Sequence, residues 1–204
     1  MLSTKEIQKQ NQKTIILLLL AFIVPVLMAY LVYVNMGDVS KTRNNGELVI
    51  PPRPLESFSL QNESGQAFGF EQLKGNWNLV YIGNGKCAET CRDRLSIMHQ
   101  SRIAQGKAMS RVGLIYIALD KNEAANAGSL KKEFARLTVL TGGQDDITKT
   151  LKLFETDAAI NIKDGNLIFM LDPLGNLMMR YKKDVRLIGI IKDMEHLLKV
   201  SQIG

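Results

Sequence analysis

Cys87 and Cys91 are the only cysteines in the chain, and they stand in the stretch Gly83-Asn84-Gly85-Lys86-Cys87-Ala88-Glu89-Thr90-Cys91. Two sulfurs at this C-x-x-x-C spacing can serve as a dithiol, close a disulfide, or supply two of the three donors of a soft-metal site. With Cys91 at the start of a helix and Cys87 in the loop before it, four helical residues rise about 6 Å, within the Cα separation a disulfide spans. A thiolate at a helix N-terminus is favoured by the free N–H groups and the helix dipole. Lys86, Arg92 and Arg94 add positive charge there, and Glu89 and Asp93 oppose it. As a structural staple the pair would close a very small loop and remove little unfolded-state entropy. The chemical reading is therefore preferred, with Cys87 as the attacking thiol and Cys91 as the resolving one.

Other chemistry-bearing residues are sparse. His99 and His196 are the only histidines. His99 lies eight residues past Cys91, about 12 Å along a straight helix, too far to share an ion. Both are expected to be exposed or locally bonded helix residues. Met170, Met178 and Met179 fall near the strands of the candidate site and are expected as core fillers, with thioether ligation as the alternative. No Ser-His-Asp set can be drawn, and Asp120, Asp145, Asp146, Asp157 and Asp172 are too scattered to place a carboxylate pair. Gly83-x-Gly85 lacks the rest of a nucleotide fingerprint, and two cysteines fall short of a structural zinc site.

The elements that must position the cysteines follow from the pattern. Asn78–Gly83 reads as a buried strand ending at the cysteine loop, and about 91–109 as a helix. Val112–Leu119 is the most apolar strand. A helix over about 126–137, a short strand at 138–140, a helix reaching Phe154 with Asp145 or Asp146 as its cap, and a strand over 167–171 follow. Asp172-Pro173-Leu174-Gly175 is a turn, 177–181 a strand and about 186–200 the last helix. Phe58–Leu60 and Phe68–Phe70 flank a hairpin turn at Glu63-Ser64-Gly65. Alternating strands and helices predict an α/β fold, and the final hairpin makes its sheet mixed. The expected class is a thioredoxin-like mixed sheet flanked by helices.

Upstream, residues 14–34 carry no charge and are long enough, at about 30 Å of helix, to cross a bilayer. Lys5, Lys9 and Lys13 precede them, so the positive-inside rule puts 1–13 in the cytoplasm and the remainder outside. A cleaved secretory signal would carry a shorter apolar region and a small-residue cleavage site. The expectation is a retained single-pass anchor in the inner membrane, a tether over 35–54 marked by turn formers and Pro51-Pro52-Arg53-Pro54, and a periplasmic domain over 55–204, where disulfides are permitted. The formal charge is +6. It is spread as pairs such as Lys131-Lys132 and Lys182-Lys183, which read as solvated faces. The clustered basic residues with aromatics that nucleic-acid binding would need are not present.

Beyond these residue-level readings, the domain resembles the Sco/SenC family over about 58–200. The likeness is carried by Phe58-Ser59-Leu60 to Gly65, by Leu73-Lys74-Gly75-Asn76-Trp77-Asn78-Leu79-Val80-Tyr81, by the C-x-x-x-C, by Leu140-Thr141-Gly142, and by Leu167–Leu171 running into Asp172-Pro173-Leu174-Gly175. The resemblance implies a membrane-anchored, thioredoxin-fold protein assisting cytochrome c oxidase assembly, with an oxidase subunit or another assembly factor as partner. Copper-handling members of that family use the two cysteines and a histidine nine residues before the proline of the D-P-x-G turn. Counting back from Pro173 gives Asp164, a hard oxygen donor poorly suited to copper(I). The prolines that flank the family's cysteines are replaced by Lys86, Thr90 and Arg92. No resident cofactor is therefore expected, and copper at Cys87 and Cys91 is the secondary reading. The expected activity is thiol–disulfide chemistry on the copper-site cysteines of an oxidase subunit. The alternatives are a general envelope thiol–disulfide oxidoreductase and a non-catalytic thioredoxin-fold binding module.

Overall fold

The computed structural model describes residues 4–35, 44–83, 87–120, 127–156, 162 and 166–201. It divides into two units, Met1–Arg43 and Asn44–Gly204. The first holds helix α1, Thr4–Asn35, with Pro25 inside it. Over Gln12–Val32 this helix is long and apolar enough to cross a membrane. Its large side chains, among them Leu17, Phe22 and Leu27, are exposed, unlike those of a core helix.

The second unit is built on an eight-stranded mixed sheet in the order β1-β8-β7-β4-β5-β6-β2-β3. At its centre β4, Trp77–Gly83, is buried along its whole length. It runs parallel to β5, Val112–Ala118, and antiparallel to β7, Ile168–Leu171. Next to β5 lies the parallel strand β6, Leu137–Thr141. Strands β7 and β8, Asn176–Tyr181, form an antiparallel hairpin. Its turn is set by Asp172, whose Oδ1 accepts from the backbone N–H of Leu174 (2.9 Å) and Asn176 (2.8 Å). Gly175 supplies the positive φ of 85° that a side chain would resist. The hairpin of β2, Ser59–Asn62, and β3, Ala67–Gly69, closes the far edge against β6.

Side-chain alternation along the central strands makes two apolar faces. Trp77, Leu79 and Tyr81 join Val112, Leu114 and Tyr116 on one side. That side is covered by α3, Glu89–Ile103, by α4, Ala127–Glu133, and by α6, Leu187–Val200. Val80 and Ile82 join Ile115 and Ile117 on the other. There they meet Leu73 of the one-turn helix α2, Phe70–Leu73, and Ile147, Leu151 and Phe154 of α5, Gln144–Phe154. Cys91, Leu95, Met98 and Arg102 are buried on α3 at spacings of four, three and four residues, the stripe expected of a half-buried helix.

Three expectations are corrected. Glu47–Pro54, within the stretch expected to be tether, forms β1 and pairs antiparallel with β8. The register jumps between Leu48 and Arg53, so the Pro-rich middle arches off the ladder while both ends pair, an arrangement open to proline only at a sheet edge. The unit boundary accordingly falls at Asn44. Helix α5 is capped by Gly143, with no side-chain capping bond, and Asp145 and Asp146 lie in its first turn, where carboxylates still favour the dipole. The helix expected to reach 137 stops at Glu133, and Arg136, with φ of 65°, turns the chain into β6.

The start of β1 is fastened by one buried carboxylate. Asp193 of α6 is 4% exposed. Its oxygens accept from the Asn45 backbone N–H (3.0 and 2.9 Å), the Asn45 Nδ2 (2.9 Å) and the Gly46 backbone N–H (2.9 Å).

Candidate functional site

Strand β4 ends at Gly83, and Cys87 and Ala88 lead directly into α3. Ala88 is the helix N-cap, so Cys91 sits at the third helical position instead of the first. The Arg92 N–H donates to the Ala88 carbonyl at 3.0 Å and closes the first turn. Alanine offers no side-chain acceptor, and no side-chain cap is made. The earlier amides of the turn therefore point their N–H groups toward the cysteines' end of the helix.

Cys87 and Cys91 are joined as a disulfide with a Cα separation of 5.1 Å. Of the three states open to the pair from its spacing, the structure holds the oxidised one. The two sulfurs are not equivalent in their surroundings. Cys91 is buried, 8% exposed, within the cluster formed by α3, α4, α6 and the sheet. Cys87 is only half-buried and packs on the margin of that cluster.

The charges read as neighbours are arranged differently from a simple halo around the sulfurs. Arg92 forms an ion pair with Glu133 at the end of α4, which turns its guanidinium away toward that helix. Arg94 is half-buried with its Nε and Nη1 inside the protein. Lys86 lies outside the described residues, as does Asp164, so the position expected to carry a third metal ligand has no geometry here.

The two histidines part ways. His196 is exposed on α6, as expected. His99 is half-buried, with its ring edge-on to Phe134 at 6.0 Å between centroids. Burial, and secondarily the nearby Arg102 guanidinium, hold its pKa below the ordinary value of 6.5. Met170 and Met179 are buried core residues, and Met178 is half-buried against the same cluster. The Met179 sulfur accepts from the Tyr181 hydroxyl at 3.8 Å.

Behind the disulfide lies a feature that the sequence reading missed. Tyr81 of β4 and Tyr116 of β5 stack with centroids 5.8 Å apart and planes within 14°. They belong to the same cluster as both cysteines. The Tyr116 phenol lies against the α-carbon of Gly83, where an added Cβ would come within 2.7 Å of its Oη. The Tyr81 hydroxyl donates to Asn166 Oδ1 at 3.0 Å, and Asn166 holds a left-handed φ of 47° at the entry to β7. The paired rings thus bridge the end of β4 to the segment preceding β7. The in-register pairing of two tyrosines on adjacent parallel strands was the available signal.

Chemically, the arrangement is a two-electron thiol–disulfide couple at a helix mouth. Copper(I) would need the pair reduced and a third soft donor. Among the described residues no group of three or more His, Cys, Asp or Glu side chains comes together to hold a metal. The residues described do not complete a copper site.

Comparison with known proteins agrees with this fold. A family model described as transmembrane-like, thioredoxin-like, C-terminal domain matches residues 77–201. The SCO2-like protein of Rickettsia conorii is 27% identical over 121 residues, 56% of this chain and 58% of that protein. The structure of copper-bound ScoI from Bradyrhizobium japonicum superposes with a TM-score of 0.57 at 21% identity, covering 68% of this chain and 96% of that one. BsSco, described as a Sco-family cytochrome c oxidase assembly protein with a disulfide switch, gives a TM-score of 0.55 at 20% identity over 74% and 96% of the two chains.

Proposed function

The chain belongs to the transmembrane-like, thioredoxin-like C-terminal domain family and is Sco-like in its relatives and fold, and from that premise we propose that it assists cytochrome c oxidase assembly by thiol–disulfide exchange. Its apolar helix would serve as the anchor, and the copper-site cysteines of an oxidase subunit would be its substrate. The observation that carries the reading is the Cys87–Cys91 disulfide at the mouth of α3, with Cys87 the more accessible sulfur. The disulfide switch described for BsSco points the same way.

The reductive cycle starts from the dithiol. The Cys87 thiolate attacks one sulfur of the partner's disulfide, forming a mixed disulfide and expelling the partner's other sulfur as a thiolate. The Cys91 thiolate then attacks the Cys87 sulfur, restores the Cys87–Cys91 bond and releases the partner as a dithiol, its protons taken from water. Two electrons pass from this chain to the partner. A thiol-bearing reductant must then restore the dithiol. The uncapped amides of the first α3 turn stabilise negative charge at either sulfur. The buried resolving position of Cys91 keeps it from competing for outside disulfides.

The test is direct. With an oxidised oxidase-subunit domain as substrate, the reduced full chain should release two thiols per turnover. Cys91→Ser should accumulate a mixed disulfide through Cys87, and Cys87→Ser should form none. Oxidase assembly that proceeds normally with Cys87→Ser would remove the thiol role and favour a non-catalytic binding module. Tight one-to-one copper(I) uptake by the reduced chain would instead require a third ligand from the segments around Asp164.

A further inference from the structure

We propose that the surface around the first turn of α6 and the start of β1 docks on the anionic phospholipid headgroups of the bilayer that holds α1. The proposal is independent of the thiol chemistry and requires only that α1 lies in the membrane.

Three observations converge on this surface. The first is where the chain enters the domain. Asn45 and Gly46 are clamped onto Asp193 of α6, so the entry point is fixed to that helix. Only residues 36–43 separate α1 from Asn44, and a stretch of that length spans at most about 30 Å when fully extended. The length of that stretch thus sets an upper limit on how far Asn45 can stand from the end of α1.

The second is charge. An open cleft of about 470 Å³ lies beside the clamp, and Arg180, Lys182, Arg186 and Lys192 line it together with Glu47 and Asp184. Glu47 is paired with Arg180 Nε at 2.8 Å and with Lys182 Nζ at 2.5 Å, so the excess positive charge of the cleft rests on Arg186 and Lys192, with Asp184 opposing it. Lys183 stands exposed in the adjoining turn. Basic residues outnumber acidic ones at this mouth, and such juxtamembrane clusters are drawn to anionic lipid within a Debye length.

The third is Ile188. It lines the same cleft and is 46% exposed in the first turn of α6, one turn before Lys192. This apolar side chain belongs to neither core cluster and shares its cleft with Arg186 and Lys192, a combination that suits the boundary between headgroups and acyl chains.

Docking would hold the domain against the membrane by its α6 end, beyond what the linker length alone imposes. The experiment uses the full chain in nanodiscs of zwitterionic phosphatidylcholine or of phosphatidylcholine mixed with phosphatidylglycerol. Exposed amines are acetylated with an uncharged N-hydroxysuccinimide ester and quantified by peptide mass spectrometry. Lys183 and Lys192 should react several-fold more slowly on the anionic discs, with full reactivity restored by high salt or by Arg186→Glu combined with Lys192→Glu (read at Lys183). Lys152, exposed on α5 across the sheet, should be unaffected. Equal rates at Lys183 on both discs would overturn the proposal. Protection as strong on zwitterionic discs and in detergent as on the anionic discs would also overturn it, pointing to a protein contact instead.

Discussion

Gly83 has no room for a side chain. The Tyr116 ring occupies the place a Cβ would take, and that ring is fully buried and stacked on Tyr81. Gly83→Ala is expected to lose about 1–3 kcal/mol of stability, the usual cost of overpacking a closed core, measured by urea unfolding. Because Gly83 opens the cysteine loop, the same variant should alter the Cys87–Cys91 reduction potential, whereas Gly128→Ala, which lies in α4 and meets nothing within 4 Å, should leave the potential unchanged and not lower stability. His99 makes a separate prediction at this scale. Its pKa is lowered in the fold by burial and then by Arg102. Below the ordinary value of about 6.5, the unfolded chain therefore takes up a proton that the folded chain resists. Stability should fall as the pH drops through that point and be fully present above it. His99→Phe, which keeps an aromatic edge against Phe134, should flatten that acid slope in pH-dependent thermal melts.

At the scale of elements, the decisive joint is the one between α6 and β1. Asp193→Ala would leave the Asn45 and Gly46 amides without their acceptor, and it is expected to cost about 3 kcal/mol by the measure of hydrogen bonds to a buried charge. Hydrogen exchange should then rise along β1 ahead of the central strands, and an unchanged β1 would show that its pairing with β8, not the clamp, holds the edge. This joint also marks where sequence reading stops. The central strands were legible because β4 and β5 are apolar along nearly all their length, and the cysteine pair because a rare residue type was repeated at short range. β1 was not legible, since Pro51, Pro52 and Pro54 argue against a strand and only its two ends use the ladder. Its fastening spans 148 residues from Asn45 to Asp193, and the Tyr81–Asn166 bond spans 85. No local pattern encodes such partners. The Ala88 cap was missed for a different reason. A helix start without a side-chain acceptor leaves no signature, and in this chain the turn that carries Cys91 has no side-chain cap.

At the scale of the whole molecule, the unit Asn44–Gly204 contains both core clusters and every element that frames the disulfide. Removal of residues 1–34, which carry the apolar helix, is therefore expected to leave a chain that stays in solution without detergent and keeps the same thermal midpoint. Loss of cooperative unfolding in that truncation would show that the core depends on the anchor. Both outer strands of the sheet are poor templates. β3 is three residues long, and β1 lifts off its neighbour through a stretch whose prolines carry no amide hydrogen to offer. Wherever copies are crowded and chance encounters are frequent, such blunted rims deny one copy the means to zip onto the next and start an aggregate.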